Sequence, residues 1–359
     1  NCVSQSDGIY VAAAKQLLRF NPDNGKLISK WTVPIEGDLR WGNVRVIDDT
    51  LIATLFRPED IADAQAGYDG NGGDWAGDRM PMSYLIAIDR QSCKLHWQRK
   101  ANWGFLNRSG ICAGGGKVFC VDLITEKIHS KFAEAGRKFP DTPPTLYALD
   151  LKTGKEAWQF PLDVYVQNIA YSEAKDMLLA PCRNLKEWQK DKWVDLSIDI
   201  RRGKRNKNAA GKWRAIQGKD GKVIWEGAEA AYHSPHIVLG ELIIDRYGYS
   251  YDLNTGERHL RTLDTGEQAE WNFKKGGCNH LIACEHLVTW RCAYYDLQQH
   301  ESVRLTGMDA GCSPTLIPAG GVLNIPNFGT HHKRNRMTAI ALVHVKPETR
   351  ISKTETNTK

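Results

Sequence analysis

The sequence lacks several features that would have narrowed its function at once. No run of about 18 apolar residues occurs, so no helix in it is built to cross a membrane. Its nine cysteines, Cys2, Cys93, Cys112, Cys120, Cys182, Cys278, Cys284, Cys292 and Cys312, contain no C-x-x-C pair. Neither a zinc ribbon nor a c-type haem attachment is therefore signalled. An odd count means that not all of them pair within the chain, which leaves the redox compartment open. Charge of one sign is not concentrated either. The net charge of +6 is mild for 359 residues and the Lys and Arg residues are scattered, so nucleic acid is not an expected partner. Two basic runs, Arg201–Lys207 and His331–Arg336, fall between predicted strands and read as solvated loops, with a phosphate or polyanion contact as the minority reading. No nucleotide-binding glycine loop, Ser-His-Asp spacing or carboxylate pair stands out, so catalysis has no positive support. Helical periodicity is nearly absent.

What is abundant is one repeated unit. Leu146–Trp158 (LYALDLKTGKEAW) reads as an apolar strand, an Asp-x-x-Thr-Gly-Lys turn and a second strand ending in Trp. The unit returns as Leu17–Trp31, Leu85–Trp97, Trp213–Trp225, Gly248–Leu260 and Cys292–Arg304, while Met337–Val345 supplies a last first strand without its turn. Aligned on the turn residue, the copies fall at Gly25, Cys93, Gly154, Gly221, Gly256 and His300. Further apolar strands precede each copy: Gly8–Ala13, Asp49–Leu55, Gly116–Val121, Lys175–Ala180, Gly240–Asp245, Glu285–Trp290 and Gly321–Ile325. Four short strands per repeat with little helix between them is the pattern of a β-propeller blade, and seven blades can be counted. The expected fold class is therefore all-β, one propeller domain over residues 1–345, followed by a polar and disordered tail, 346–359. The 12 Trp residues suit wedges between sheets and the 32 Gly residues suit tight turns.

Three departures from the repeat are candidate functional features. Blade two holds the excursion Arg57–Met82, expected to project from one rim. Its Asp69, Asn71, Asp74 and Asp78 resemble a calcium loop, but Met80 stands where an EF-hand needs Glu, which favours a polar loop. Blade three carries a predicted amphipathic helix, Glu126–Phe139, with Ile128, Phe132, Ala135 and Phe139 on one face for core packing and Pro140, Pro143 and Pro144 as its stop. Blade four contains Arg183–Lys212, whose Trp188 and Trp193 lie among charges and mark a candidate binding edge.

The last three blades each open on a polar segment: Tyr232–His236, Gly276–His280 and Ala310–Thr315. The innermost strand of every propeller blade lines the channel. His233, His236, Cys278, His280 and Cys312 are thus expected to converge there, with His331 and His332 on the loop of the closing blade. Imidazole and thiolate are ligands for zinc or copper, so His233, His236 and His280 are the candidate metal ligands, and Cys278, Cys312, His331 and His332 the candidate ligand-binding residues of the channel mouth. The alternative is that these side chains hydrogen-bond around a water-filled channel.

The Asp-x-x-x-Gly-Lys-x-x-Trp unit, seen in Asp150–Trp158 and in variant form in Asp89–Trp97 and Gln217–Trp225, resembles the PQQ-like repeat of quinoprotein dehydrogenases and BamB-type assembly lipoproteins. Tyr232–Val345 resembles the last three blades of PQQ-like propeller proteins abundant in planctomycete-type bacteria. Those relatives have a further blade before the segment matching Asn1–Trp31, which implies an eight-bladed whole with its targeting segment upstream. The resemblance implies fold rather than activity. Where relatives show a C-x-C, this chain has Gly329–His332, GTHH. The vicinal cysteines, stacking Trp and calcium-binding Glu, Asn and Asp of quinoprotein enzymes find no residue-by-residue match, so PQQ is not supported as a cofactor. The expected function is a non-catalytic, periplasmic or otherwise extracytoplasmic scaffold that binds a protein, glycan or small ligand on one face. The alternative is a PQQ- or metal-dependent oxidoreductase-like enzyme with its site in the channel mouth.

Overall fold

The structure, a computed structural model, describes residues 2–65, 81–106, 110–124, 126–162, 165–166, 168–183, 186–189, 192–195, 211–230, 236–245, 248–263, 265–270, 281–290, 293–305, 316–319, 322–325 and 340–343. It is an all-β architecture of antiparallel meanders, the blade unit of a β-propeller. The chain forms two compact units, one of Asn1–Tyr232 with Asp252–Glu257 and one of His233–Tyr251 with Arg258–Lys359.

In the first unit, Cys2–Gln5, Gly8–Ala13, Gln16–Phe20 and Leu27–Thr32 make a four-stranded sheet in chain order. Arg40–Ile47, Thr50–Phe56, Pro81–Asp89 and Leu95–Leu106 make the second meander. Ile111–Gly114, Lys117–Asp122, Thr145–Asp150 and Glu156–Pro161 make the third. These two meanders are joined into one eight-stranded sheet, because the far end of Leu95–Leu106, paired on one side with Pro81 and Met82, also pairs Phe105 with Asp122 on the other. A fourth sheet contains Ala170–Ser172, Met177–Arg183, Gly211–Gln217 and Val223–Ala230. The second unit holds the sheets Ile237–Leu239, Leu242–Ile244, Ser250–Asp252; then Ile282–Ala283, Leu287–Trp290, Ala293–Asp296, Glu301–Arg304; and finally Ile317–Ala319, Val322–Ile325, Ile340–Val343.

The turn read from the repeat has one geometry throughout. Asp150 Oδ1 accepts the amides of Lys152 at 3.2 Å and Thr153 at 2.8 Å and the Thr153 hydroxyl at 2.7 Å, while its main chain exchanges bonds with Gly154 and Lys155. Asp89, Asp252 and Asp296 receive the corresponding amides of their own turns. All six aligned turn residues have positive φ, including the non-glycine Cys93 at 60° and His300 at 57°. Left-handed backbone is therefore what the repeat specifies there, and glycine is its usual but not obligatory occupant.

Three of the repeat Trp residues grip the following turn. The indole of Trp97 donates to the Leu151 carbonyl at 2.9 Å, that of Trp158 to Gly218 at 2.8 Å and that of Trp225 to Leu253 at 3.0 Å, all within the first unit. The turn glycines lie flat on these rings. A Cβ on Gly154 would meet Trp97 at 2.6 Å, one on Gly221 would meet Trp158 at 2.8 Å, and one on Gly256 would meet Trp225 at 2.6 Å. Because Trp97 and Trp158 each sit just past their own turn and hold the next one, the turn ends of the two joined meanders and of the fourth sheet face the same way. The links between second and third strands emerge at the opposite end.

Two helices correct the sequence reading. Pro58–Gln65 forms α1 inside the excursion Arg57–Met82, where no helix is expected from the sequence. Pro58 at the first helical position and Glu59 and Asp60 in the first turn are favourable start residues. The predicted helix of blade three is α2, Glu126–Glu134, and it stops before the prolines. Gly136, at φ 72°, ends it: the Arg137 amide returns to the Phe132 carbonyl at 2.9 Å. Ile128 and Phe132 pack into the core as expected, Phe139 joins them from beyond the helix, and Ala135 is exposed rather than packed.

The docking contact makes a differential prediction. Gly154→Ala and Gly25→Ala both incur a left-handed cost of ~1 kcal/mol, but only the first drives a methyl into a Trp ring, since nothing lies within 4 Å of a Cβ on Gly25. Overpacking adds about 1–3 kcal/mol. Denaturant midpoints should therefore fall further for Gly154→Ala, and equal losses would contradict the contact.

Candidate functional site

At the end opposite the turns, α1 and α2 leave the second strands of neighbouring meanders and face each other across a cleft of about 440 Å³. The volume lies in the range of small-ligand pockets. Its floor is the bend in Leu95–Leu106. There the buried Asp122 carboxylate accepts three consecutive amides, Asn102 at 2.7 Å, Trp103 at 2.9 Å and Gly104 at 2.8 Å. Burial pushes the Asp122 pKa up, against the pull of those amide bonds. Gly104 is required at the bend: a Cβ there would fall 2.5 Å from that of Pro81. The bend is what turns the strand from one meander to the next and so leaves the cleft open between the helices.

The two walls are tied by Asp60 of α1, only 5% exposed. Its carboxylate accepts the Ser83 hydroxyl at 2.6 Å, Arg57 Nε at 3.0 Å and Nη2 at 3.2 Å, and Arg137 Nη1 from beyond α2. Burial raises its pKa, and the Ser83, Arg137 and Arg57 bonds outweigh this and hold it below the usual carboxylate range. The Arg137 guanidinium lies over the Phe132 ring at 4.2 Å. Behind it, His129 stacks on Phe139 at 3.9 Å and Trp103 on Phe139 at 5.6 Å, with the Trp103 indole donating to the Thr142 carbonyl at 3.0 Å. Met82, Phe132 and Phe139 give the cleft its apolar side. Arg57, Lys100, Arg137 and Lys138 against Glu59 and Asp60 give it a surplus of positive charge.

None of the cleft residues was singled out as a site from sequence, although Pro58 with its acidic first turn and Gly136 after the helix were signals for the two walls. Of the metal and channel-mouth residues expected from the sequence, His236 is the one described. It is buried at the start of Ile237–Leu239 in the second unit, and burial lowers its pKa to about 3, which keeps the ring neutral. His233, Cys278, His280, Cys312, His331 and His332 lie outside the described residues, as do Asp69, Asn71, Asp74 and Asp78 of the calcium-like loop. Among the described residues no three His, Cys, Asp or Glu side chains come together as a metal site would require. Trp188 and Trp193 stand opposite each other on the hairpin Lys186–Gln189 and Lys192–Asp195. Cys2, Cys93, Cys112, Cys120 and Cys284 are free thiols. Among the described residues no helix is long and apolar enough to cross a membrane.

No protein-family model matches the chain, and neither does any curated protein. Solved structures to which it is similar include BamB from Moraxella catarrhalis, with 11% identity, 91% of this chain and 93% of that one covered and a TM-score of 0.43. The WD40 domain of Neurospora crassa Pan2 has 10% identity, 89% and 82% coverage and a TM-score of 0.49. A quinohaemoprotein alcohol dehydrogenase from Pseudomonas putida has 14% identity, 90% and 50% coverage and a TM-score of 0.43. A BamB and a quinoprotein dehydrogenase are thus among the structural neighbours. At these identities no activity passes to this chain.

Asp60 has a pH signature with a definite sign. Its folded pKa lies below the unfolded carboxyl value of about 3.9, so its ion pairs stabilise the fold above that pH and are lost as pH falls through it. Asp60→Asn should lower the melting temperature at pH 7 and approach the wild type as pH drops below about 4. A deficit that is the same at pH 7 and pH 3 would contradict the assignment.

Proposed function

We propose that this chain is a non-catalytic binding propeller, an extracytoplasmic scaffold that engages a protein, glycan or small ligand through the end of its sheets opposite the Asp-turns. One observation carries this reading. The chain leaves the second strands of the second, third and fourth sheets at Phe56, Asp122 and Arg183 and returns to their third strands at Pro81, Thr145 and Gly211, all at one end, with α1 and α2 among the described residues there, while the other end is closed by tight turns. Insertions confined to one end of a rigid scaffold are the usual form of a recognition face. The acidic groups of the cleft support a binding role over a catalytic one, since Asp60 is held by two guanidiniums and a hydroxyl and Asp122 by three amides.

A rival reading, an oxidoreductase-like enzyme with a metal at His233, His236 and His280 and with Cys278, Cys312, His331 and His332 facing its substrate, is kept by the buried neutral ring of His236. Neutral imidazole is the ligand form.

Metal analysis and absorbance spectra of the purified protein separate the two. The scaffold reading expects no stoichiometric metal and no quinone band. A stoichiometric metal that is lost in His233→Ala, His236→Ala and His280→Ala would overturn it. A photo-crosslinker at Glu59, beside the cleft, should form partner adducts in cell extract, and one at Lys155, at the turn end, should not. The reverse pattern would also overturn the reading.

A further inference from the structure

The geometry points to the cleft between α1 and α2 as a site for a small molecule that carries an oxyanion, a phosphate or a carboxylate, on a flat apolar body. The inference rests on the reading that this end is the binding face and names the ligand class for it.

The charges come first. Asp60 brings one negative charge to the cleft and two guanidiniums to neutralise it. Glu59 stands 3.7 Å from Arg57 Nε and is exposed. Lys100, on the strand that floors the cleft, and Lys138, just past α2, are both exposed and face no carboxylate within ion-pair distance among the described residues. Arg57, nearly half exposed, completes a rim of three cations around the opening. Lys100 and Lys138 are thus cations that the ion pairs of Asp60 do not use, which is what an anionic ligand requires, and Arg57 beside them, though paired with Asp60, adds a guanidinium that suits the oxygens of phosphate and carboxylate.

The apolar side then limits the shape. Phe132, Phe139 and Met82 line the same cleft, and the stack of Phe139 on His129 and Trp103 holds the Phe139 ring in place. A fixed ring beside a cationic rim suits a ligand with an aromatic or similarly flat body and an anionic end. A bare anion would use the rim alone and leave the apolar side wet.

Calorimetric titration at low salt with phenyl phosphate, benzoate and inorganic phosphate tests this. Wild type should bind phenyl phosphate or benzoate at one saturable site, about tenfold more tightly than inorganic phosphate, and the tighter of the two organic anions identifies the oxyanion. The double variant Lys100→Ala with Lys138→Ala should weaken that binding by about tenfold or more, and raised salt should weaken it further. Lys152→Ala with Lys155→Ala, at the turn end, should leave it unchanged. No saturable binding of either organic anion, or equal affinity in wild type and the Lys100/Lys138 variant, would overturn the inference. If that happens while crosslinking from Glu59 persists, the ligand class falls and the binding face stands.

Discussion

The structure of the first unit depends on an indole laid under a turn. A strand pair cannot bury both of its faces alone, so each sheet needs a neighbour fixed at a set distance and tilt. The repeat meets that need with two groups. The Trp ring supplies a broad apolar surface, and its N–H fixes orientation by donating to a main-chain carbonyl of the next turn. The turn must present bare backbone to that ring, which is why Gly154, Gly221 and Gly256 sit where a side chain would collide. Truncating such a Trp in a core typically costs about 3–5 kcal/mol, so the contacts of Trp97 and Trp158 set the spacing of the first-unit sheets they join.

From that constraint follows a division of labour between the two ends. The turn end is fixed by backbone, by Asx-type bonds and by the docked rings, and leaves little room for insertion. The other end has no such requirement, and the chain places α1 and α2 there and leaves the fourth sheet from it at Arg183. The bend held by Asp122 and Gly104 lets one strand serve two meanders, and the ion pairs of Asp60 hold the two helices across the opening. A buried carboxylate with several charge-assisted partners is a positional device as much as a stabilising one, because removing a single partner leaves an uncompensated charge inside. The cleft is thus a by-product of how two sheets are joined, lined with cations beyond those Asp60 uses.

The repeat was legible because its physics is local. Alternation, an Asp that caps its own turn and a left-handed residue at a fixed offset are all written within about a dozen positions, and they identified the turn even where Cys93 and His300 replace glycine. The extent of α2 was misjudged because the prolines at 140, 143 and 144 drew attention from Gly136, which acts first. The helix α1 was hidden by its length, since eight residues give too short a period to stand out from a polar loop. The cleft had no linear signature: Asp60, Ser83, Lys100 and Arg137 belong to different elements and meet only because neighbouring sheets are docked. The His and Cys positions read as a channel site were chosen from equivalent blade positions, and His236, the one described, is a buried neutral side chain.

The most direct test of the docking contact is a double-mutant cycle between Trp158 and Gly221, measured by chemical denaturation. If the ring lies under the turn, Gly221→Ala should cost much less in the Trp158→Ala background than in the wild type, with a coupling of about 1–2 kcal/mol. Strictly additive losses would mean that the two residues do not meet, and the account of how the sheets are held together would fail.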